Sequence, residues 1–274
     1  MLPEHSPAAA TRLHRLVRER FRLQLTDCRP PHEVGGLLRL AHSRGYPAFD
    51  DFLDLVEEDR TGKLAFEVVN RLGATVGEFQ PARIHLDLLR RELLPTWEEG
   101  RRKGRVLRFW VPGCGTGGDV WLLACELDER LGPAAAECVS ILGTDCSAQA
   151  LTTAMEGVYD DDSLRRLPCD LRTRCFDEAD SQNWCVADRL RGLVRFRRHS
   201  SAARLPIVTH GLDAVFCAGA LRYLDPETRR AVVRRYAEVL RPGGWLLTGG
   251  VDLCGAVLDG HQVHPGVYRR PRCD

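Results

Sequence analysis

Gly113, Gly115 and Gly117 alternate with Cys114 and Thr116 in a short segment between two apolar runs. Glycines at that spacing turn the chain tightly and clear side chains from the backbone N–H groups. At the start of a helix, such groups can approach a bound cofactor closely. Read as GxGxG, the segment has the spacing of the cofactor turn in methyltransferases. With Gly118 it also reads GxGxxG, the dinucleotide fingerprint. The loop alone leaves both cofactors open, beside a tight turn with a purely structural role. Asp145 closes the next apolar run, VSILGTD. A carboxylate at the end of that strand can accept hydrogen bonds from both hydroxyls of a ribose. Its competing role is to cap the helix that follows, for which Ser147 is also placed.

These residues need a scaffold of alternating strands and helices. VLRFWVPG reads as a strand ending in glycine, followed by the helical DVWLLACEL. VSILGTD is a buried strand followed by the helix SAQALTTAME, and LDAVFCAG is a strand followed by the helix DPETRRAVVRRYAEVL. In that last helix Val232, Val233, Tyr236, Val239 and Leu240 share one face, Asp225 suits the cap and Pro226 the first turn. RPGG stops it, and WLLTGGVD is a further strand. The alternation predicts a parallel sheet covered by helices on both faces.

Before residue 105 the periodicity is helical. Leu13, Val17, Phe21 and Leu25 recur at helical spacing, as do Val34, Leu37, Leu38 and Ala41. After a turn at Gly45-Tyr46-Pro47, further helices are expected around Phe49 to Val56, Lys63 to Leu72 and Ile84 to Leu94, the last ending at Pro95. The expected domains are a helical one over 1–95 and an α/β one over 105–274.

With a formal net charge of +1, no overall field favours nucleic acid or an anionic membrane. The arginine clusters at 229–235 and 101–105 read as solvated helix faces. No stretch approaches the roughly 20 apolar residues of a membrane span, and the N-terminus lacks a signal-peptide apolar region, so a cytoplasmic protein is expected. The 11 cysteines include no CxxC pair, which argues against a zinc site or a disulfide framework. No metal is expected.

Taken in order, several segments resemble the chemotaxis receptor methyltransferases, the CheR family. FWVPGCGTG resembles that family's first-strand motif with its Gly-Cys pair. ILGTDCSAQALTTAMEGVY is similar to its second strand and helix, with Asp145, Ala154, Gly157 and Tyr159 in register. SLRRLP followed by CF resembles the lead into its small β-subdomain. LDAVFCAGALRYLDPETRR and LRPGGWLLTGGVD resemble its fourth and fifth strands with their flanks, and the resemblance runs on to the final VYRR. The resemblance selects S-adenosylmethionine over a nicotinamide dinucleotide. It implies a Rossmann-like class I methyltransferase sheet with a small N-terminal helical domain and an inserted β-subdomain at about 163–199. In some family members that subdomain docks on a receptor tail.

The implied activity is methyl transfer to a protein carboxylate, with a chemoreceptor or another signalling protein as partner. The implied cofactor contacts are Gly113, Cys114, Gly115, Thr116, Gly117, Asp119, Asp145, Ser200 and Cys217, with Tyr223 near the methyl-transfer centre. The departures fall mainly on the substrate side. The family's Phe-Phe-Arg motif aligns with Glu78-Phe79-Gln80, so Gln80 stands where an active-site arginine is expected, with Arg83 and Arg222 as substitutes. The acidic pair after the loop becomes Gly118-Asp119, an asparagine becomes Ser200, and an Arg-Asn pair becomes Ala218-Gly219. The alternative these departures raise is a degenerate relative that binds cofactor or a protein partner without efficient turnover.

Overall fold

Along the first apolar run Leu107, Phe109 and Val111 alternate with Trp110, so a strand there sends large side chains to both faces of a sheet. The computed structural model places β1 there (Leu107–Pro112). It describes residues 31–46, 48–59, 86–199, 211–217, 226–249 and 262–272, with isolated residues at 9, 11–13, 15, 16, 19, 64, 68, 221 and 224.

The remaining strands of the main sheet are β2 (Val139–Asp145), β6 (Val194–Arg198), β7 (Leu212–Phe216), β8 (Leu240–Leu247), β9 (Gln262–His264) and β10 (Val267–Arg269). They form a seven-stranded sheet in the order β6-β2-β1-β7-β8-β10-β9. The strands from β6 to β8 are parallel, and β10 is antiparallel to both its neighbours. Chain order reverses between β1 and β7, which makes the C-terminal ends of these strands the topological switch point where open α/β sheets bind ligands. This is the Rossmann-like arrangement expected, with an antiparallel strand added near one edge.

Both faces are covered. On one, α4 (Gly118–Leu131) packs Val120, Trp121 and Leu123 against Phe109, Val111, Phe216 and Leu247. On the other, α6 (Pro226–Val239) packs Val232, Val233 and Tyr236 against Trp110, Val215 and Leu246. The Trp110 ring meets Tyr236 edge-on, with centroids 4.9 Å apart. A second helix on the β2 side is α5 (Ala148–Glu156), capped by Ser147, whose hydroxyl accepts from Ala150 N.

Three expectations need correction. The helix expected to end at Pro95 continues: Leu89–Leu93 forms a π-type turn leading into α3 (Leu94–Arg102). The Leu94 N–H bonds to Leu89 O, five residues back, and this wider turn accommodates a proline that has no N–H of its own. The small sheet lies partly outside 163–199. Its strands are β3 (Val158–Asp160), β4 (Phe176–Glu178) and β5 (Asn183–Val186), antiparallel in the order β3-β5-β4. Val194–Arg198 instead pairs with β2 in the main sheet. Finally, RPGG does not separate helix from strand: β8 begins at Leu240 and carries an irregular register past Pro242 and Gly243.

In the N-terminal part, α1 (Pro31–Ser43) and α2 (Phe49–Glu58) are helical. Leu37, Leu38, Phe52, Leu53 and Val56 form a separate cluster with Leu13, Leu16 and Val68. Cys146, the residue after Asp145, packs against this cluster. Leu89, Leu93 and Trp97 belong instead to the core of the main sheet. The same helical segment is tied down by Arg90, whose guanidinium makes two bonds of 2.7 and 2.6 Å to the buried Glu126 of α4. No helix among the described residues is long and apolar enough to cross a membrane.

Candidate cofactor and active site

The loop after β1 takes its shape from its three alternating glycines, with φ of 66° at Gly113, 55° at Gly115 and 92° at Gly117. All lie in the left-handed region that other residues adopt only at a cost. The constraint is tightest at Gly117, where an added Cβ would come within 3.0 Å of the Ala154 Cβ. Backbone bonds close the turn: Cys114 N donates to Thr144 O and Gly117 N to Cys114 O, each at 3.0 Å. Helix α4 starts directly at Gly118, so its positive N-terminal end opens onto the loop. Asp119, in its first turn and half-buried, is the acidic residue retained there.

Asp145 ends β2 beside this loop. Its Oδ2 accepts from Gly115 N and its Oδ1 from Ser147 N, both at 2.8 Å. The ribose-ligand and helix-entry roles weighed from sequence are therefore compatible, because Ser147 supplies the cap while Asp145 braces both loop and helix entry. A carboxylate offers about four acceptor positions, and Cys146 also donates to this one, from its thiol and its backbone N–H. Burial pushes the Asp145 carboxyl above its ordinary value of 3.8, against the opposing pull of the Ser147 and Gly115 N–H bonds. It is a desolvated acceptor, and among the described residues no arginine or lysine forms an ion pair with it.

The cysteines near the loop are not poised as nucleophiles. Burial, and then the Asp145 charge, push the Cys114 thiol well up. The same two causes push Cys146 up to about 12. Both therefore stay protonated near neutrality. Cys217 follows β7 at the switch point, its side chain buried with Trp110, Leu221 and Tyr236, and its N–H donates to Leu247 O at 2.7 Å.

The fold thus brings Gly113, Cys114, Gly115, Thr116, Gly117, Asp119 and Asp145 to the C-terminal ends of β1 and β2, with Cys217 at the end of β7. Gln80, Ser200 and Tyr223 lie outside the described residues, as do Arg83, Ala218, Gly219, Arg222 and Asp225. The motif reading assigned no role to two residues that touch the loop. The Tyr159 hydroxyl donates to Thr116 O at 2.6 Å, and Trp121 Nε1 donates to Ala154 O at 3.2 Å. The only sequence signal for Tyr159 was its place in the GVY motif.

The arrangement suits S-adenosylmethionine. Left-handed glycines clear space over the loop, and a buried carboxylate stands beside it at the end of β2. Comparison with known proteins agrees. Residues 78–260 match the family model described as "CheR methyltransferase, SAM binding domain". A chemotaxis protein methyltransferase of Borreliella burgdorferi is 22% identical over 263 residues, covering 95% of this chain and 93% of the relative. Chemotaxis protein methyltransferase 1 of Pseudomonas aeruginosa is 27% identical, covering 86% and 88% respectively. The Escherichia coli chemotaxis protein methyltransferase is 25% identical, covering 89% and 84%. The matched span holds the glycine loop, Asp145 and the small sheet together, and on that ground the chain belongs to the CheR family and is an S-adenosylmethionine-dependent methyltransferase.

Proposed function

We propose that this methyltransferase acts on the carboxylate of a glutamate side chain in a chemoreceptor or a related signalling protein, in the cytoplasm. The observation that carries this reading is the family match over residues 78–260, which includes both the cofactor loop and the Gln80 segment. The names of the relatives support the same class of acceptor. The comparisons do not favour the degenerate alternative.

The chemistry asks little of the protein in proton transfer. A glutamate with an unperturbed pKa of about 4.3 is already ionised near neutrality and needs no general base. When bound, S-adenosylmethionine supplies an electrophilic methyl group on its sulfonium. The residues of this chain then have to align and desolvate the carboxylate, a task worth up to roughly 7–11 kcal/mol. In this reading Gly113, Cys114, Gly115, Thr116 and Gly117 cradle the cofactor and Asp145 takes the ribose hydroxyls. Asp119 and Cys217 belong to the same site, and the family resemblance assigns Ser200 a cofactor contact and Tyr223 and Gln80 roles in the transfer itself.

Gln80 sets the expected rate. An arginine fork holds a carboxylate with two charge-assisted bonds, whereas glutamine offers a neutral amide. The difference is about 1.5–3 kcal/mol per charge-assisted contact. The test is methyl transfer from labelled cofactor to receptor fragments, with the modified glutamate located by mass spectrometry. The Gln80→Arg variant should be faster by about tenfold or more. Equal rates would refute the role given to Gln80. Absence of glutamate methylation in every receptor fragment, with cofactor bound, would refute the acceptor.

A further inference from the structure

We propose that Tyr159 is a positioning residue for the methyltransferase site, holding the glycine loop in its cofactor-binding shape from the small sheet. Tyr159 is the middle residue of β3 and pairs with Trp184 of β5, yet its side chain leaves that sheet and is buried. Its ring meets Phe176 edge-on, at 5.8 Å between centroids and 87° between planes. From there its hydroxyl reaches Thr116 O, 43 residues earlier in the chain, at 2.6 Å.

The acceptor is what gives this contact its consequence. The Thr116 carbonyl and the Gly117 N–H belong to one peptide unit. Tyr159 bonds the carbonyl end of that unit, and Cys114 O receives the N–H end at 3.0 Å. A peptide preceding a left-handed glycine, in a loop with glycine at every second position, is the kind of unit that rotates readily, because glycine tolerates both signs of φ. Bonds at both ends fix its orientation. Gly117 is also wedged against Ala154, and Trp121 ties Ala154 O to the first turn of α4. Burial pushes the Tyr159 phenol well above its ordinary range, so it remains a protonated donor at any physiological pH.

Core packing alone would need only the ring, whereas positioning needs the hydroxyl. The two roles therefore separate in a pair of variants, and the proposal rests on the loop being the cofactor cradle. Tyr159→Phe keeps the ring and removes the hydroxyl, which donates to Thr116 O and also bonds the Trp121 side chain; Phe176→Leu loosens the same packing without touching the loop. The full-length protein is titrated with S-adenosylhomocysteine by calorimetry, melted without ligand, and followed by amide hydrogen exchange over residues 113–117. Tyr159→Phe should weaken binding about tenfold and speed exchange in the loop, with a smaller fall in melting temperature than Phe176→Leu. Phe176→Leu should lower the melting temperature and leave affinity within about twofold. Wild-type affinity and exchange in Tyr159→Phe would overturn the proposal, as would affinity losses in both variants that simply track melting temperature. Absence of binding by the wild type would overturn the cradle assignment and the proposal with it.

Discussion

Two buried aspartates sit at opposite ends of the same parallel sheet, and they are treated very differently. Asp213, near the N-terminal end of β7, is 1% exposed and accepts from Arg105 and Arg241, each at 2.6 Å, and from Arg108 N at 2.9 Å. Asp145, at the C-terminal end of β2, is 8% exposed and is held at the loop by neutral N–H groups. A buried charge with opposite charges around it is satisfied by the fold, whereas one held only by dipoles keeps part of its desolvation cost. Carboxylates whose pKa is shifted by desolvation cluster at functional sites. Two aspartates of similar burial thus divide into one that ties strands together through arginines and one that braces the glycine loop through neutral donors.

The sharpest break of this comparison is Asp145→Asn. Losing the charge from two hydrogen bonds to ribose hydroxyls, at about 1.5–3 kcal/mol each, should weaken S-adenosylhomocysteine binding by about 100-fold or more. The amide also turns one acceptor oxygen into an NH2 group facing the N–H of Gly115 or Ser147. The easier burial of a neutral side chain offsets that loss in part, so the urea midpoint should fall less than in Asp213→Asn. Asp213→Asn should reverse the pattern. It leaves Arg105 and Arg241 facing a neutral amide, and removing one partner of a buried ion pair costs about 3–5 kcal/mol. Both arginines are partly exposed, so a loss of about 3 kcal/mol is expected in the urea midpoint, with cofactor affinity within a few-fold of wild type. A large affinity loss in Asp213→Asn would erase the distinction between the two sites.

The smallest effect is in pH dependence. Because burial raises the Asp145 pKa, the folded protein keeps that proton to higher pH than the unfolded chain does. Stability from this group is full below its ordinary value of 3.8 and declines as pH rises through the raised value. The slope is at most about 1.4 kcal/mol per pH unit for one proton. Urea midpoints of the ligand-free protein across that window should show this component in the wild type and lack it in Asp145→Asn. Cofactor affinity, which needs the ionised acceptor, should rise with pH over the same window.

The parts of the fold read most directly from sequence are those set by local pattern. VSILGTD spans β2 from its first residue to its last, because a run this short and rich in β-branched Val139, Ile141 and Thr144 suits a buried strand better than a helix. The alternating glycines announced the loop for a similar reason, since no other residue accepts those φ values cheaply. Pro95 misled because proline is a helix breaker only for ordinary α-helical bonding, and a π-type turn relaxes that rule. The hairpin β9–β10 was also not read as strands. Each of its strands is three residues long, too short for an alternating pattern to register, and β10 is held by its register with β8. The strand Val194–Arg198 fell inside the range expected for the small subdomain because nothing in VRFRR says which sheet it joins.

The sequence by itself determined the cofactor loop, the carboxylate beside it and the resemblance to a methyltransferase family, since glycine spacing, strand ends and ordered motifs are properties of neighbouring residues. Only the tertiary structure decided which buried aspartate is neutralised by arginines and which is held by neutral donors. Arg105 and Asp213 are 108 residues apart, so their pairing is written nowhere in local pattern. The same holds for Tyr159, whose motif marked it as a family residue without saying what its hydroxyl touches. Its contact exists because the small sheet folds back against the loop, a juxtaposition that packing fixes and spacing does not.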